Sequence, residues 1–179
     1  MRRILLVDDE ANVLSALKRS IRQCDLGPEI QVEVFTDPRL ALERSVEVPF
    51  DIVISDYRMP AMDGVQFLLK YKEIQPDTVR VMLSAFSDFE TLMQAINQAE
   101  VFRYIAKPWQ SEEINGIMQL ALERHDKARE DLRLFNELRV QLGERQFEAF
   151  LDFVEQRIAG RHSIQATYTT RAWSARRKD

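Results

Sequence analysis

The chain has 179 residues, 45% of them hydrophobic, which is enough for one ordinary domain with a core plus an extension. Lys+Arg 25 against Asp+Glu 29 leaves a net charge of -4, which gives no general attraction for nucleic acid. Cys24 is the only cysteine, so an intrachain disulfide and a cysteine metal cluster are both excluded. A lone thiol of this kind reads as a small buried apolar residue in a reducing cytoplasm. No apolar run is long enough to span a bilayer. The stretch after Met1-Arg2-Arg3 ends at Asp8, too short for a signal-peptide core. The expected localisation is cytoplasmic.

Apolar runs alternate with amphipathic segments from the start of the chain. Residues 4–7 read as a buried strand, and Val13, Leu14, Leu17 and Ile21 place a helix over 11–23. Residues 32–35 form a short strand. Asp37 is an N-cap with Pro38 at the first helical position, opening a helix over 40–46. Residues 51–55 are a run-like strand, as in a sheet covered on both faces. A Pro/Gly loop over 58–64 precedes a helix carrying Val65, Phe67, Leu68 and Leu69. Residues 79–83 form a fourth strand. Ser87 and Glu90 make a capping box for a helix running to Gln98. Residues 101–105 form a fifth strand, Pro108 stops it, and Ser111 caps a long final helix.

Five strand–helix units predict an α/β fold: a five-stranded parallel sheet, doubly wound by right-handed crossovers. Ligands then bind at the carboxyl ends of the strands. Asp8, Asp9, Asp56, Ser84 and Lys107 each fall where a strand is expected to end. Taken singly, such an aspartate is usually a turn former, Ser84 a helix cap and Lys107-Pro108 a loop. Their joint placement on one sheet edge is what points to a site.

Three carboxylates and one ammonium at that edge make an acidic pocket for a hard divalent cation. Two like charges about 4 Å apart repel by roughly 4 kcal/mol at an effective dielectric near 20, so the cluster asks for a cation. Mg2+, or Mn2+ in its place, needs only one or two carboxylates, a backbone carbonyl and waters. Asp56 ends the central strand before a flexible loop and is the candidate nucleophile. Asp8 and Asp9 are adjacent and point different ways, so one is expected to reach metal directly and the other through water. Lys107 supplies a point charge for a phosphate oxygen, and Ser84 a hydroxyl beside it. The chemistry is phosphoryl transfer onto an aspartate.

With these residues placed, the chain resembles a bacterial response-regulator receiver domain, the family of the chemotaxis response regulator. The resemblance is carried by Leu6-Val7-Asp8-Asp9-Glu10, Ser55-Asp56-Tyr57-Arg58-Met59-Pro60, Met62-Asp63-Gly64, Leu83-Ser84-Ala85 and Tyr104-Ile105-Ala106-Lys107-Pro108-Trp109. It covers residues 1 to about 123 and implies the flavodoxin-like receiver fold. It implies that Asp56 is the phosphoacceptor and that Asp8, Asp9 and Asp56 bind the metal with the backbone carbonyl of Arg58. It implies that Lys107 contacts the phosphate, and that Ser84 and Tyr104 are the switch pair. A histidine kinase or histidine phosphotransfer protein is the implied donor. The face formed by the helix over 87–98, the fifth strand and the final helix is the implied switching surface. The implied domain turns over no external metabolite. Trp109 is expected at the base of the last helix, with Phe86 and Phe89 in the core or partly exposed on the switching face.

The remainder is less specific. Ile114, Ile117, Ala121, Ala128, Phe135, Leu138 and Leu142 form a thin apolar seam, and Gly143 marks a break. Phe147, Phe150, Leu151, Val154 and Ile158 follow at helical spacing. The expected division is a receiver over 1–123, a helical extension over 124–160 and a polar, basic tail over 161–179. The seam suits a homodimer through residues 112–142, or a hairpin folded across Gly143. A second reading makes the chain the regulatory part of a longer regulator with a cyclic-dinucleotide phosphodiesterase-like output. A third, ranked last, is DNA contact through Arg171, Arg176, Arg177 and Lys178. His125 and His162 are isolated and lack metal-ligand spacing.

Overall fold

The computed structural model describes residues 1–27, 29–85 and 99–158. Its elements run β1 (Arg2–Val7), α1 (Ala11–Gln23), β2 (Ile30–Phe35), α2 (Pro38–Glu47), β3 (Ile52–Asp56), α3 (Gly64–Ile74) and β4 (Val79–Ala85). After residues 86–98 come β5 (Arg103–Lys107), α4 (Ser111–Leu142) and α5 (Glu144–Ile158). The helix expected over 87–98, with Phe86 and Phe89, lies outside the described residues.

All neighbouring strands pair in parallel, in the order β2-β1-β3-β4-β5. The strand alternation sends successive side chains to opposite faces. Ile4, Leu6, Ile52, Ile54, Val81 and Leu83 pack on one face with Leu14, Leu17 and Ile21 of α1 and Ile114, Met118 and Ala121 of α4. Leu5, Val7, Val53 and Met82 pack on the other with Ala41 of α2 and Phe67, Leu68 and Tyr71 of α3. Every residue of β3 is buried, which explains the apolar run Ile52-Val53-Ile54 that opens it. This is the doubly wound, flavodoxin-like architecture expected.

Local signals hold at several ends. Asp37 caps α2, its carboxylate accepting from the Arg39 N–H at 2.9 Å. Asp63 caps α3 in the same way, accepting from the Gln66 N–H at 2.8 Å. Trp109 packs against the α1/α4 core cluster, and its indole N–H donates to Ser20 Oγ at 3.2 Å.

Other expectations shift. Cys24 is half-buried rather than buried, with its thiol donating to the Ser20 carbonyl at 3.3 Å. Asp56, Ser84 and Lys107 lie within the last residues of their strands, not after them. The parallel ladder carries on through Asp56↔Leu83, Ser84↔Ala106 and Ala85↔Lys107. The fifth strand starts two residues later than expected, because its pairing with β4 begins at Arg103↔Val81. Val101 ahead of it is a buried core residue.

The chain divides into two compact units, Met1–Arg129 and Glu130–Asp179. In the second unit, the Phe135 and Phe147 rings meet edge-on at 4.9 Å. A continuous straight helix would hold residues twelve apart at about 18 Å, so the chain turns back between them. The turn is at Gly143, whose φ of +71 lies in the left-handed region that favours glycine. Its N–H donates to the Arg139 carbonyl at 3.1 Å, and its own carbonyl accepts from the Phe147 N–H at 3.0 Å.

The apolar seam is not one surface. Ile114 and Ala121 are fully buried in the receiver core, because the first turns of α4 cover the sheet. The exposed large apolar side chains of α4 are instead Leu120, Leu132, Leu134 and Val140. Among the described residues, no helix is long and apolar enough to cross a membrane.

Candidate functional site

Parallel pairing brings the carboxyl ends of β1, β3 and β5 to one edge. Asp8 follows β1 at 1% exposure, and Asp56 ends β3 at 5%. The Lys107 ammonium, from the end of β5, bridges them: Nζ stands 2.8 Å from Asp8 Oδ2 and 2.5 Å from Asp56 Oδ1. Residues far apart in sequence thus meet only because the strand order puts β1 beside β3 and β4 between β3 and β5.

Each carboxylate has a second restraint. The Glu10 N–H donates to Asp8 Oδ1 at 2.8 Å, and the Arg58 N–H donates to Asp56 Oδ2 at 2.7 Å. Gly64 closes the floor. A Cβ there would lie 2.1 Å from the backbone oxygen of Asp56, so only glycine lets α3 start this close.

The electrostatics follow. Burial pushes the Asp56 carboxyl above its ordinary value, aided by the Asp8 charge and opposed by Lys107 and the Arg58 N–H. Burial pulls Lys107 down, but its bonds to Asp56 and Asp8 more than offset this, and the ammonium is held above its ordinary value. One cation serves two buried anions, so the cluster keeps an excess of negative charge.

The remaining residues are placed differently from one another. Asp9 is exposed and lines an open cavity of ≈ 580 Å³ with Tyr57, Arg58, Met59, Pro60 and Asp63. The expected convergence of three carboxylates is therefore two around Lys107 and a third at the rim, since neighbouring residues point apart. Buried Ser84 donates from Oγ to the Ala85 carbonyl at 3.2 Å. Tyr104 on β5 is 40% exposed. Asp63 and Gly64 stood in the sequence as loop residues. The Asp-x-x pattern before an apolar helix was the available signal for the cap, and nothing local signalled the close approach at Gly64.

The sequence matches the response regulator receiver domain over residues 4–119. The chain belongs to this receiver family. Over 136 residues it is 31% identical to the hydrogenase transcriptional regulatory protein HoxA of Cupriavidus necator, covering 76% of this chain and 27% of that protein. It is 30% identical over 115 residues to the cyclic di-GMP phosphodiesterase response regulator RpfG of Xanthomonas campestris, covering 63% and 30%. The signal receiver domain of an HD domain-containing protein from Pseudomonas fluorescens is 30% identical, with a TM-score of 0.66 over 72% of this chain and 92% of that one. The receiver thus spans under a third of these two curated relatives.

Receiver domains of this family bind Mg2+ at their aspartates. Among the described residues, no three His, Cys, Asp or Glu side chains gather closely enough to cage an ion alone. Magnesium does not need such a cage, because it keeps several waters and takes one or two carboxylates. Hard oxygen donors fit it: the buried Asp8 and Asp56, which carry an excess of negative charge, and Asp9 at the cavity rim.

Proposed function

We propose that this receiver accepts a phosphoryl group on Asp56 from a histidine kinase or histidine phosphotransfer protein. The observation that supports it is the Lys107 ammonium shared between Asp8 and Asp56 at 2.8 and 2.5 Å. An Asp56 carboxylate oxygen forms the new P–O bond as the P–N bond of the donor imidazole breaks, and the imidazole recovers a proton. Lys107 holds the group's charge from one side. Asp8, Asp9, Asp56 and the Arg58 carbonyl would hold Mg2+ or Mn2+, which when bound would neutralise charge on the transferring group. Ser84 turns from the Ala85 carbonyl toward the new phosphoryl oxygens, and Tyr104 moves inward from its exposed position. In this reading the protein acts in the cytoplasm as a signalling module and turns over no external metabolite. The experiment is mass spectrometry after incubation with Mg2+ and a small phosphodonor. A single phosphoryl adduct, stable to acid and labile to base, is expected; no adduct would end the proposal.

Arg58 stands at the cavity rim, two residues past Asp56. Its side chain limits the approach of water to the phosphorylated site, so Arg58→Ala speeds dephosphorylation several-fold. An unchanged rate discards that role.

The receiver is assigned to residues 1–123, the helical extension to 124–160 and the tail to 161–179. Phosphorylation is proposed to strengthen a homodimer through residues 112–142. Leu132 and Val140, eight residues apart and so on one side of the helix, are exposed apolar side chains that a second copy would cover. Sedimentation with and without beryllofluoride should show the monomer shifting to dimer; identical profiles would reject it. A second reading, favoured by the small share of its relatives that the chain spans, makes it the regulatory part of a longer protein. The output would then be transcriptional or phosphodiesterase-like, and the gene sequence beyond codon 179 tests it.

A further inference from the structure

At the sheet edge opposite the acid cluster sits a buried imidazole that the proposed phosphotransfer does not use. His125 lies on α4, 6% exposed, shortly before the first compact unit ends at Arg129. Its Nδ1 faces Asp51 Oδ1 at 3.3 Å and Asp126 Oδ1 at 3.8 Å. That Nδ1 is buried with no hydrogen-bond partner among the described residues.

Both carboxylates are engaged elsewhere. Asp51, which directly precedes β3, accepts the Arg3 N–H on Oδ2 at 2.6 Å. Asp126 is held by the two terminal nitrogens of Arg2 on β1, at 2.5 and 2.6 Å. The charged groups facing the ring are therefore Asp51 at the entry to β3, Arg2 on β1, and Asp126 and Arg129 on α4 itself. Asp51 outweighs Arg129 and Asp126 outweighs Arg2, but the ring is buried and its Nδ1 has no hydrogen-bond partner, so the desolvation of an imidazolium in this niche decides.

We propose that His125 is an acid-released latch: neutral, it packs this turn of α4 against the sheet edge, and proton uptake expels it and frees the turn. Burial lowers the imidazole from its ordinary 6.5, with Asp51 and Asp126 pulling it up and Arg129 and Arg2 pulling it down. A base held below its ordinary value binds its proton more tightly in the open state. Opening therefore becomes easier as pH falls below 6.5, and the gain stops once the closed state also takes up the proton. The latch does not depend on Asp56. It sets how far along α4 the receiver holds its helix, whether or not the site is phosphorylated.

The test uses the full chain. Its imidazole resonances come from His125 and His162 alone, and His162→Gln assigns them. NMR titration should place His125 below 6.5. Amide exchange over residues 123–129 is measured from about pH 7.5 to about pH 5.5 and divided by intrinsic rates. Protection should fall by up to about tenfold per pH unit in the native sequence. In His125→Phe, which keeps the ring's bulk without a titrating nitrogen, it should stay flat. Titration of His125 at or above its ordinary value overturns the latch. So does an equal loss of protection in His125→Phe. If that variant does not fold, His125→Gln provides the same comparison, and the native titration decides by itself.

Discussion

Asp56→Asn abolishes phosphoryl uptake from a small phosphodonor and, without divalent ions, makes the protein more stable. The first effect follows from chemistry, because an amide oxygen is no nucleophile for phosphorus. The second follows from the cluster's charge. Asp8 and Asp56 are both buried, and among the described residues Lys107 is the cation that pairs with them. Removing one anion leaves a matched Asp8–Lys107 pair, and removing uncompensated buried charge is worth roughly 1–2 kcal/mol. The pH dependence has a definite sign. Burial holds the Asp56 carboxyl above its ordinary value, so the folded chain binds that proton more tightly than the unfolded chain. The stability this contributes is fully present below the unfolded value and is lost as pH rises through the folded one. The advantage of Asp56→Asn therefore grows from acid to neutral pH, and Mg2+ narrows it by binding the native cluster. Thermal melts at several pH values check this. A variant that is phosphorylated like the native chain removes Asp56 from the chemistry. A variant less stable at neutral pH contradicts the charge argument.

Gly64→Ala destabilises the receiver and slows phosphorylation together. Helix propensity alone predicts the reverse, since alanine is favoured over glycine in a helix by about 1 kcal/mol. The tertiary contact outweighs it. The new Cβ would meet the Asp56 oxygen at 2.1 Å and Met82 Sδ at 3.0 Å. Methionine can yield, but the Asp56 carbonyl belongs to a fully buried strand. Overpacking of this kind costs about 3 kcal/mol, leaving a net loss of about 2 kcal/mol. The displacement acts on the peptide that carries Asp56, the proposed phosphoacceptor, so the phosphorylation rate is expected to fall as well. Denaturant titration and the rate of adduct formation are the two measurements. Alanine tolerated without loss in either would show that α3 can retreat from β3.

Much of this molecule was legible in one dimension, for identifiable reasons. The apolar run that opens β3 marked a strand covered on both faces, and the Asp37-Pro38 pair marked the start of α2. The receiver motifs placed Asp8, Asp56 and Lys107 at strand ends. Strand bounds slipped by up to two residues, because partner strands, not local preference, decide where a ladder stops. The seam of α4 misled as a single surface. The same helical periodicity serves burial against the chain's own sheet and contact with another chain, and only packing tells them apart. His125 read as an isolated histidine, since two of the four charged groups facing it, Arg2 and Asp51, come from the starts of β1 and β3.

Sequence alone determined the α/β alternation, the capped start of α2, the break at Gly143 and the receiver motifs that mark the candidate site, because those depend on periodicity, local backbone preference and residue chemistry. Tertiary structure decided that Lys107 bridges Asp8 and Asp56 while Asp9 stands at the rim, that Gly64 touches the Asp56 backbone, and that His125 is sealed at the far edge. The reason is that distances between strand ends are set by sheet order and register, which pair residues remote in sequence and leave no trace in local pattern.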